Sequence, residues 1–332
     1  MRQITRSVMY KFPGPQAQLV LVEHELKELD STEILVKVSA AGLNRADLLQ
    51  RQGIYKVPSG ETEVPGVEIT GITMSVGADV KNVRVGDRVC GVVSGGGFSE
   101  YCILDGGMVI KVPDAWSDVE AAGFPEAALT ASEALMQLGQ VNSSDRVVIH
   151  AASSGMGTML ITMAKSLGAQ VICTTTSKSK AEILYQLGAD YVIAEQGEAF
   201  SQSVMNITNG KGATVLIDFL AGSYFNSNIA ALAPGGRVVI AGILDGSESF
   251  VNWIPVINKR ISILPLTLRM KPLLEKRVVT QRFIDSWWDG CAYGPLRSIV
   301  HSIFPLSDLE GAQQAMLANK HIGKIVINFS LV

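Results

Sequence analysis

The chain is 332 residues long, 47% apolar and 18% charged, with a formal net charge of −3. That length suggests two domains or one large one, and the composition supports a sizeable core and argues against disorder. The small negative charge gives no support to binding of nucleic acid or an anionic membrane.

Four scattered cysteines, Cys90, Cys102, Cys173 and Cys291, form no CxxC pair. This fits a reducing compartment and weighs against a zinc site or a disulfide framework. The opening residues lack a long apolar run and no segment reaches the length of a membrane span, so a soluble cytoplasmic protein is expected.

Residues 1–120 read as β-rich. QLVLVEHEL (18–26) and EILVKVSAAGL (33–43) carry strand-like apolar patterns, and VPGVEITGITMSVG (64–77) and VRVGDRVCGVV (83–93) are strands bounded by Gly, Pro and Asp. Around residue 120 the texture changes to helical spacing with an acidic start, across 118–139. An alternation follows: strands at 146–151 and 170–175 flank a helix at 157–168, and apolar strands recur at 214–220, 236–243 and 261–268. Continuous apolar strands alternating with helices predict an α/β, doubly wound parallel sheet covered on both faces. The tail reads as helix, strand, helix, strand. The expected boundaries are a β-rich domain over 1–124, completed by 267–332, and a dinucleotide-binding domain over 125–266.

The stretch AASSGMG (151–157) joins the first strand of that alternation to its helix. In a dinucleotide turn one glycine makes the tight turn, a second admits the pyrophosphate and a third lets helix and strand pack closely. Those places fall here on Ala152, Ser154 and Gly157. Free N–H groups and the helix dipole at the N-terminus of that helix would receive a phosphate. About 20 residues further on, where an NAD site places Asp or Glu for the ribose 2′-hydroxyl, the chain has Thr176, followed by Ser177, Lys178, Ser179 and Lys180. A carboxylate there would repel a 2′-phosphate, whereas hydroxyls and a lysine bind one. NADPH is therefore the expected cofactor, although Ser177 also suits a helix cap.

Ordered motifs resemble one family along the whole chain: AAGLNRADLLQRQGIY (40–55), VPGVEITG (64–71), VRVGDRVCGVV (83–93), GFPEAALTASEAL (123–135), AASSGMGT (151–158), LGAD (187–190) and ANKHIGKIVI (318–327). The chain is similar to the zinc-independent quinone oxidoreductases of the medium-chain dehydrogenase/reductase superfamily, in the zeta-crystallin-like branch that includes the tumour-suppressor-inducible quinone oxidoreductases. The resemblance implies a GroES-like domain, a Rossmann domain and a cofactor cleft between them. It implies that Asn44 and Tyr55 line the substrate end and that Thr130 contacts the cofactor. Residues Ser154 to Gly157 would hold the pyrophosphate, with the Ser154 hydroxyl facing the active cleft. Thr176, Ser177 and Lys180 would hold the 2′-phosphate. Gly242, Ile243 and Leu244, with Leu266 and Thr267 from the last Rossmann strand, would flank the nicotinamide.

Some residues depart from the family pattern or carry two readings. Glu195 stands where many relatives have a tyrosine near the adenosine phosphate. Zinc-dependent members use a Cys, a His and a four-Cys lobe at places that read here Asn44, Val67 and SGGGFSEYCIL, so no metal is expected. Glu68 then reads as structural, bonding backbone or an arginine. Asn44 could instead brace its loop, and Tyr55 could anchor its own by packing. Lys324 reads as a sheet-edge charge or as a second contact to the adenosine phosphate. Asp47 and Arg51 could pair across a helical turn. His150 reads as a packed strand-end histidine, and Trp287 and Trp288 as tail packing.

The resulting functional expectation is NADPH-dependent reduction of quinones, and some family members pass single electrons to ortho-quinones. Two alternatives stand beside it: reduction of an activated C=C bond, with Tyr55 protonating or orienting an enolate, and NADPH binding with little catalysis. The partner is a small electrophilic acceptor. A homodimer joined through the apolar edge strand at 261–268 is expected, since exposed edges are avoided.

Overall fold

The computed structural model describes residues 3–195 and 197–331. The chain divides into two compact units, Met1–Leu129 with Arg269–Val332, and Thr130–Leu268. The cuts fall a few residues C-terminal to those expected at 124/125 and 266/267.

Strands β1 (Ile4–Lys11), β2 (Gln18–Glu25), β3 (Glu33–Leu43), β4 (Glu68–Val76), β5 (Arg88–Val92), β6 (Tyr101–Asp105) and β7 (Ile110–Lys111) belong to the first unit. The tail adds β14 (Val300–Pro305) and β15 (Lys324–Asn328). Strands β1 and β2 pair alone, whereas the main sheet runs β14-β15-β3-β4-β5-β7, with β6 also on β3. Alternation along β3 explains its place at the centre: Ile34, Val36, Val38 and Ala40 are all buried. Strand β15 lies antiparallel to β3 with Ile325 opposite Leu43, so Lys324 arrives beside Asn44.

Helical spacing over 118–139 is interrupted in the structure. Helices span Asp118–Ala122 and Pro125–Ser132, and Glu133–Leu138 winds as a π-helix. Pro125 explains the break: it lacks an N–H, disfavours helical backbone at Phe124, and suits the first position of the next helix. The long tail helix, Leu273–Ala292, buries Val279, Phe283, Trp287 and Cys291.

The second unit holds β8 (Arg146–Ile149), β9 (Gln170–Thr174), β10 (Tyr191–Ile193), β11 (Ala213–Asp218), β12 (Leu232–Ile240) and β13 (Ser262–Pro265). These pair in parallel in the order β10-β9-β8-β11-β12-β13. That is the 3-2-1-4-5-6 order of a Rossmann sheet, which binds ligands beyond the carboxyl ends of its strands. Val148, Ile172, Phe200, Leu216, Ile229 and Val238 form part of its core. The last strand is shorter than expected and ends at Pro265, so Leu266 and Thr267 lie just past it. Leu266 still donates its N–H to the Ile240 carbonyl at 2.9 Å.

Candidate active site

Strand β8 ends at Ile149, and the chain turns through Ala151 at φ 47°. The left-handed turn thus falls on an alanine, although an L-residue there costs about 1–2 kcal/mol. Ser154 caps the helix Gly155–Ser166, its hydroxyl accepting from the Gly157 N–H at 3.0 Å. The cap uses one lone pair of that oxygen and leaves the O–H donor for another partner. The N–H groups of Gly155 and Met156 have no acceptor within the helix. Gly157 is required for close packing, since a Cβ there would lie 2.5 Å from the Ala152 backbone.

Strand β9 delivers Thr174, Thr175 and Thr176 to the same end of the sheet, the first two buried and Thr176 exposed. Ser177 precedes the 3-10 turn Lys178–Lys180, but its hydroxyl meets Ser179 at 2.7 Å instead of capping. Lys180 is buried, and its ammonium donates to the Ser153 hydroxyl at 3.3 Å. Burial lowers the Lys180 pKa from its ordinary value. The donor set therefore suits an anionic dinucleotide: helix N–H groups, hydroxyls and a lysine converge on one turn, and β9 ends in threonines instead of a carboxylate. Glu195, just beyond β10, is exposed.

Behind the turn, His150 is buried between the Thr174 hydroxyl (2.8 Å) and the Asn228 side-chain oxygen (2.8 Å). Asn228 donates onward to Asp218 at 3.0 Å, and Asp218 accepts from the N–H groups of Leu220 and Ala221. Desolvation holds the His150 pKa below its ordinary value. The histidine is a packed brace, as its place at a strand end suggests. Asn228 and Asp218 were not anticipated; the only sequence signal was a lone acid closing the apolar run TVLID.

Gly242, Ile243 and Leu244 follow β12, with Ile243 and Leu244 exposed and the Leu244 N–H bonded to the Phe219 carbonyl at 2.9 Å. With Leu266 and Thr267 after β13, they share the carboxyl-end rim of the sheet with the 151–157 turn. Thr130 is buried on the helix Pro125–Ser132.

In the first unit, Asn44 is buried with its amide paired at both ends. The nitrogen donates to Glu68 at 2.8 Å, and the oxygen accepts from Lys324 at 2.6 Å. These contacts brace the Asn44 loop. The structure corrects two expectations here. Lys324 lies on an interior strand and is neither a sheet-edge charge nor an open cation for a phosphate: it forms a buried ion pair with Glu68 at 2.6 Å. Asp47 does not pair with Arg51. It accepts from the N–H groups of Asn44 (2.8 Å) and Gly66 (3.0 Å), and Arg51 pairs with Glu310 instead. Glu68 is structural as expected, with Lys324 as its cation in place of an arginine and the Glu126 N–H on its second oxygen. Gly42 leaves room for that carboxylate, which a Cβ would strike. Burial pushes the Asp47 carboxyl up to about 6. Tyr55 lies beneath the Arg269 guanidinium, 5.0 Å from its ring centre. Among the described residues no three His, Cys, Asp or Glu side chains gather to hold a metal ion.

Two family models match the chain. The family described as "Alcohol dehydrogenase GroES-like domain" matches residues 30–114, and "Zinc-binding dehydrogenase" matches 155–280. A quinone oxidoreductase structure from Pseudomonas syringae pv. Tomato DC3000 superposes with a TM-score of 0.87 at 28% identity, covering 98% of this chain and 100% of that one. A CurK enoyl reductase structure gives 0.84 at 26% identity, covering 98% and 99%. A phenolphthiocerol/phthiocerol polyketide synthase from Mycobacterium tuberculosis is 32% identical over 311 residues, 92% of this chain. The chain spans only 14% of the length of that relative.

Proposed function

We propose, on the premise that this chain belongs to the medium-chain dehydrogenase/reductase superfamily, that it is an NADPH-dependent, zinc-independent quinone reductase of the zeta-crystallin-like branch. The observation that carries the cofactor choice is the end of β9, where threonines and Lys180 stand in place of a carboxylate beside a capped helix N-terminus. In this reading Ser154, Gly155, Met156 and Gly157 bind the pyrophosphate, and Thr176, Ser177 and Lys180 bind the 2′-phosphate. Thr130, Gly242, Ile243, Leu244, Leu266 and Thr267 bound the nicotinamide half. When bound, NADPH supplies the hydride, and the protein supplies position and electrostatics. Tyr55 orients the acceptor. Asn44 acts one step removed, holding the Asn44–Arg51 segment through Glu68 and Lys324. A quinone is already a good electron acceptor, so the reading needs no Lewis acid, and solvent protonates the product.

A second reading, reduction of an activated C=C bond, draws on the likeness to the CurK enoyl reductase. NADPH oxidation measured against 1,4-naphthoquinone and a 2-alkenal separates the two. Turnover at least about tenfold faster with the quinone supports the first reading, and the reverse ratio supports the second. Tight NADPH binding with background turnover on both acceptors would overturn both and leave a cofactor-binding protein.

A further inference from the structure

Two cations of the β-rich unit converge on one serine without meeting a carboxylate. The Arg269 guanidinium donates to the Ser94 carbonyl (3.5 Å) and to the Gln50 side-chain oxygen (2.9 Å) through a single nitrogen. Its other terminal nitrogen and Nε are buried and have no hydrogen-bond partner among the described residues. Lys276 is buried and donates to the Ser94 hydroxyl at 3.3 Å. Neither cation forms an ion pair among the described residues, although buried Lys and Arg are almost always paired. The nearby acids do not serve. Asp47 is occupied by two backbone N–H groups, and Glu61 is exposed and outside ion-pair distance of Lys276. Desolvation, with Arg269 adding to it, lowers the Lys276 pKa, so an arriving anion would also favour its charged form. The Tyr55 ring covers the guanidinium face from an irregular loop.

We propose that Arg269, Lys276 and Ser94 form a subsite for an anionic group, such as a carboxylate or sulfonate, carried by the acceptor substrate. The anion takes the unused guanidinium donors as a planar fork takes a carboxylate, and the Tyr55 ring moves aside to admit it. The substrate class is then an electrophilic acceptor with an acidic substituent. This inference rests on the reductase reading for its substrate but not for its binding.

The test uses the NADPH-loaded protein with 1,4-naphthoquinone and its 2-sulfonate. Arg269→Gln should lower kcat/KM for the sulfonate at least about tenfold more than for the neutral quinone, mainly through KM, because each lost charge-assisted bond is worth on the order of a factor of ten. Arg269→Lys should recover part of that difference. Equal losses on both acceptors, or no loss on either, would overturn the subsite. A second arm needs no turnover: naphthalene-2-sulfonate is titrated against intrinsic fluorescence. Its affinity should fall at least about tenfold in Arg269→Gln and in Lys276→Met. Sulfonate binding that depends on Arg269, in a protein that reduces neither quinone, keeps the subsite and overturns the reductase reading. Quinone turnover with sulfonate binding indifferent to both residues does the opposite. If Arg269→Gln does not fold, Lys276→Met decides the binding arm.

Discussion

Replacing Lys324 with methionine should destabilise the β-rich unit severely. The ammonium and the Glu68 carboxylate are 6% and 0% exposed and lie 2.6 Å apart. Methionine keeps most of the stem volume but leaves the carboxylate buried with only the Asn44 amide and the Glu126 N–H as partners. Breaking a buried pair by removing one partner costs about 3–5 kcal/mol, because the other charge is left uncompensated. In a unit of this size each kcal/mol lowers Tm by about 2–4 °C, so calorimetry should show a fall of roughly 6–20 °C. Adding Glu68→Gln removes the stranded charge and keeps an oxygen for Glu126, so the double variant should recover at least about half of the loss. A fall below about 2 °C in Lys324→Met, or a double variant no better than the single, would refute the account of the pair.

Ser154→Ala should cost about 1 kcal/mol of stability and Ser154→Gly only a few tenths, since the hydroxyl caps the helix Gly155–Ser166; equal losses in chemical denaturation would contradict the cap. Burial holds His150 neutral in the fold, so below its ordinary pKa of 6.5 the unfolded chain binds the extra proton and the contribution of His150 is lost as pH falls. The slope is at most about 1.4 kcal/mol per pH unit. Asp47, raised to about 6, acts in the opposite direction, its contribution growing as pH falls through that value. Only the difference between wild type and His150→Gln isolates the histidine, and that difference should shrink from pH 7.5 to 5.5; parallel curves would contradict it. Light scattering at micromolar concentration should report a homodimer, because β13 is an edge strand and Trp253, Ile254 and Ile257 are exposed on the neighbouring helix Trp253–Lys259; a monomer would remove the edge-pairing proposal.

The parallel sheet and the turn before its first helix were legible because they rest on local patterns. Apolar runs such as VLID and VVI end in small or polar residues, and Gly157 answers a packing demand that any dinucleotide turn makes. The partners within the polar braces were not legible. Asn44, Glu68 and Lys324 meet through the β3–β15 register, across 280 residues of sequence between Asn44 and Lys324. No local spacing encodes that register, so Lys324 read as an edge charge or a contact to the adenosine phosphate. Asp47 and Arg51 are correctly spaced for a helical pair, but burial gave Asp47 two N–H donors and left Arg51 for Glu310. Arg269 and Lys276 stood outside every motif, and only their shared partner Ser94 brings them into view. Ala151 shows the limit from the other side: a left-handed turn is read from glycine, and here an alanine adopts it under the hold of the neighbouring strands.

The central claim is that the end of β9 selects NADPH. The most direct measurement titrates NADPH and NADH by nucleotide fluorescence against wild type and Lys180→Ala. A hydrogen bond to a charged group contributes roughly 1.5–3 kcal/mol, and two such contacts to the 2′-phosphate, partly screened, should favour NADPH at least about tenfold. Lys180→Ala should remove much of that preference while NADH affinity changes little. Equal wild-type affinities would contradict the NADPH assignment, and an unchanged preference in the variant would move the phosphate contact from Lys180 to Thr176 and Ser177.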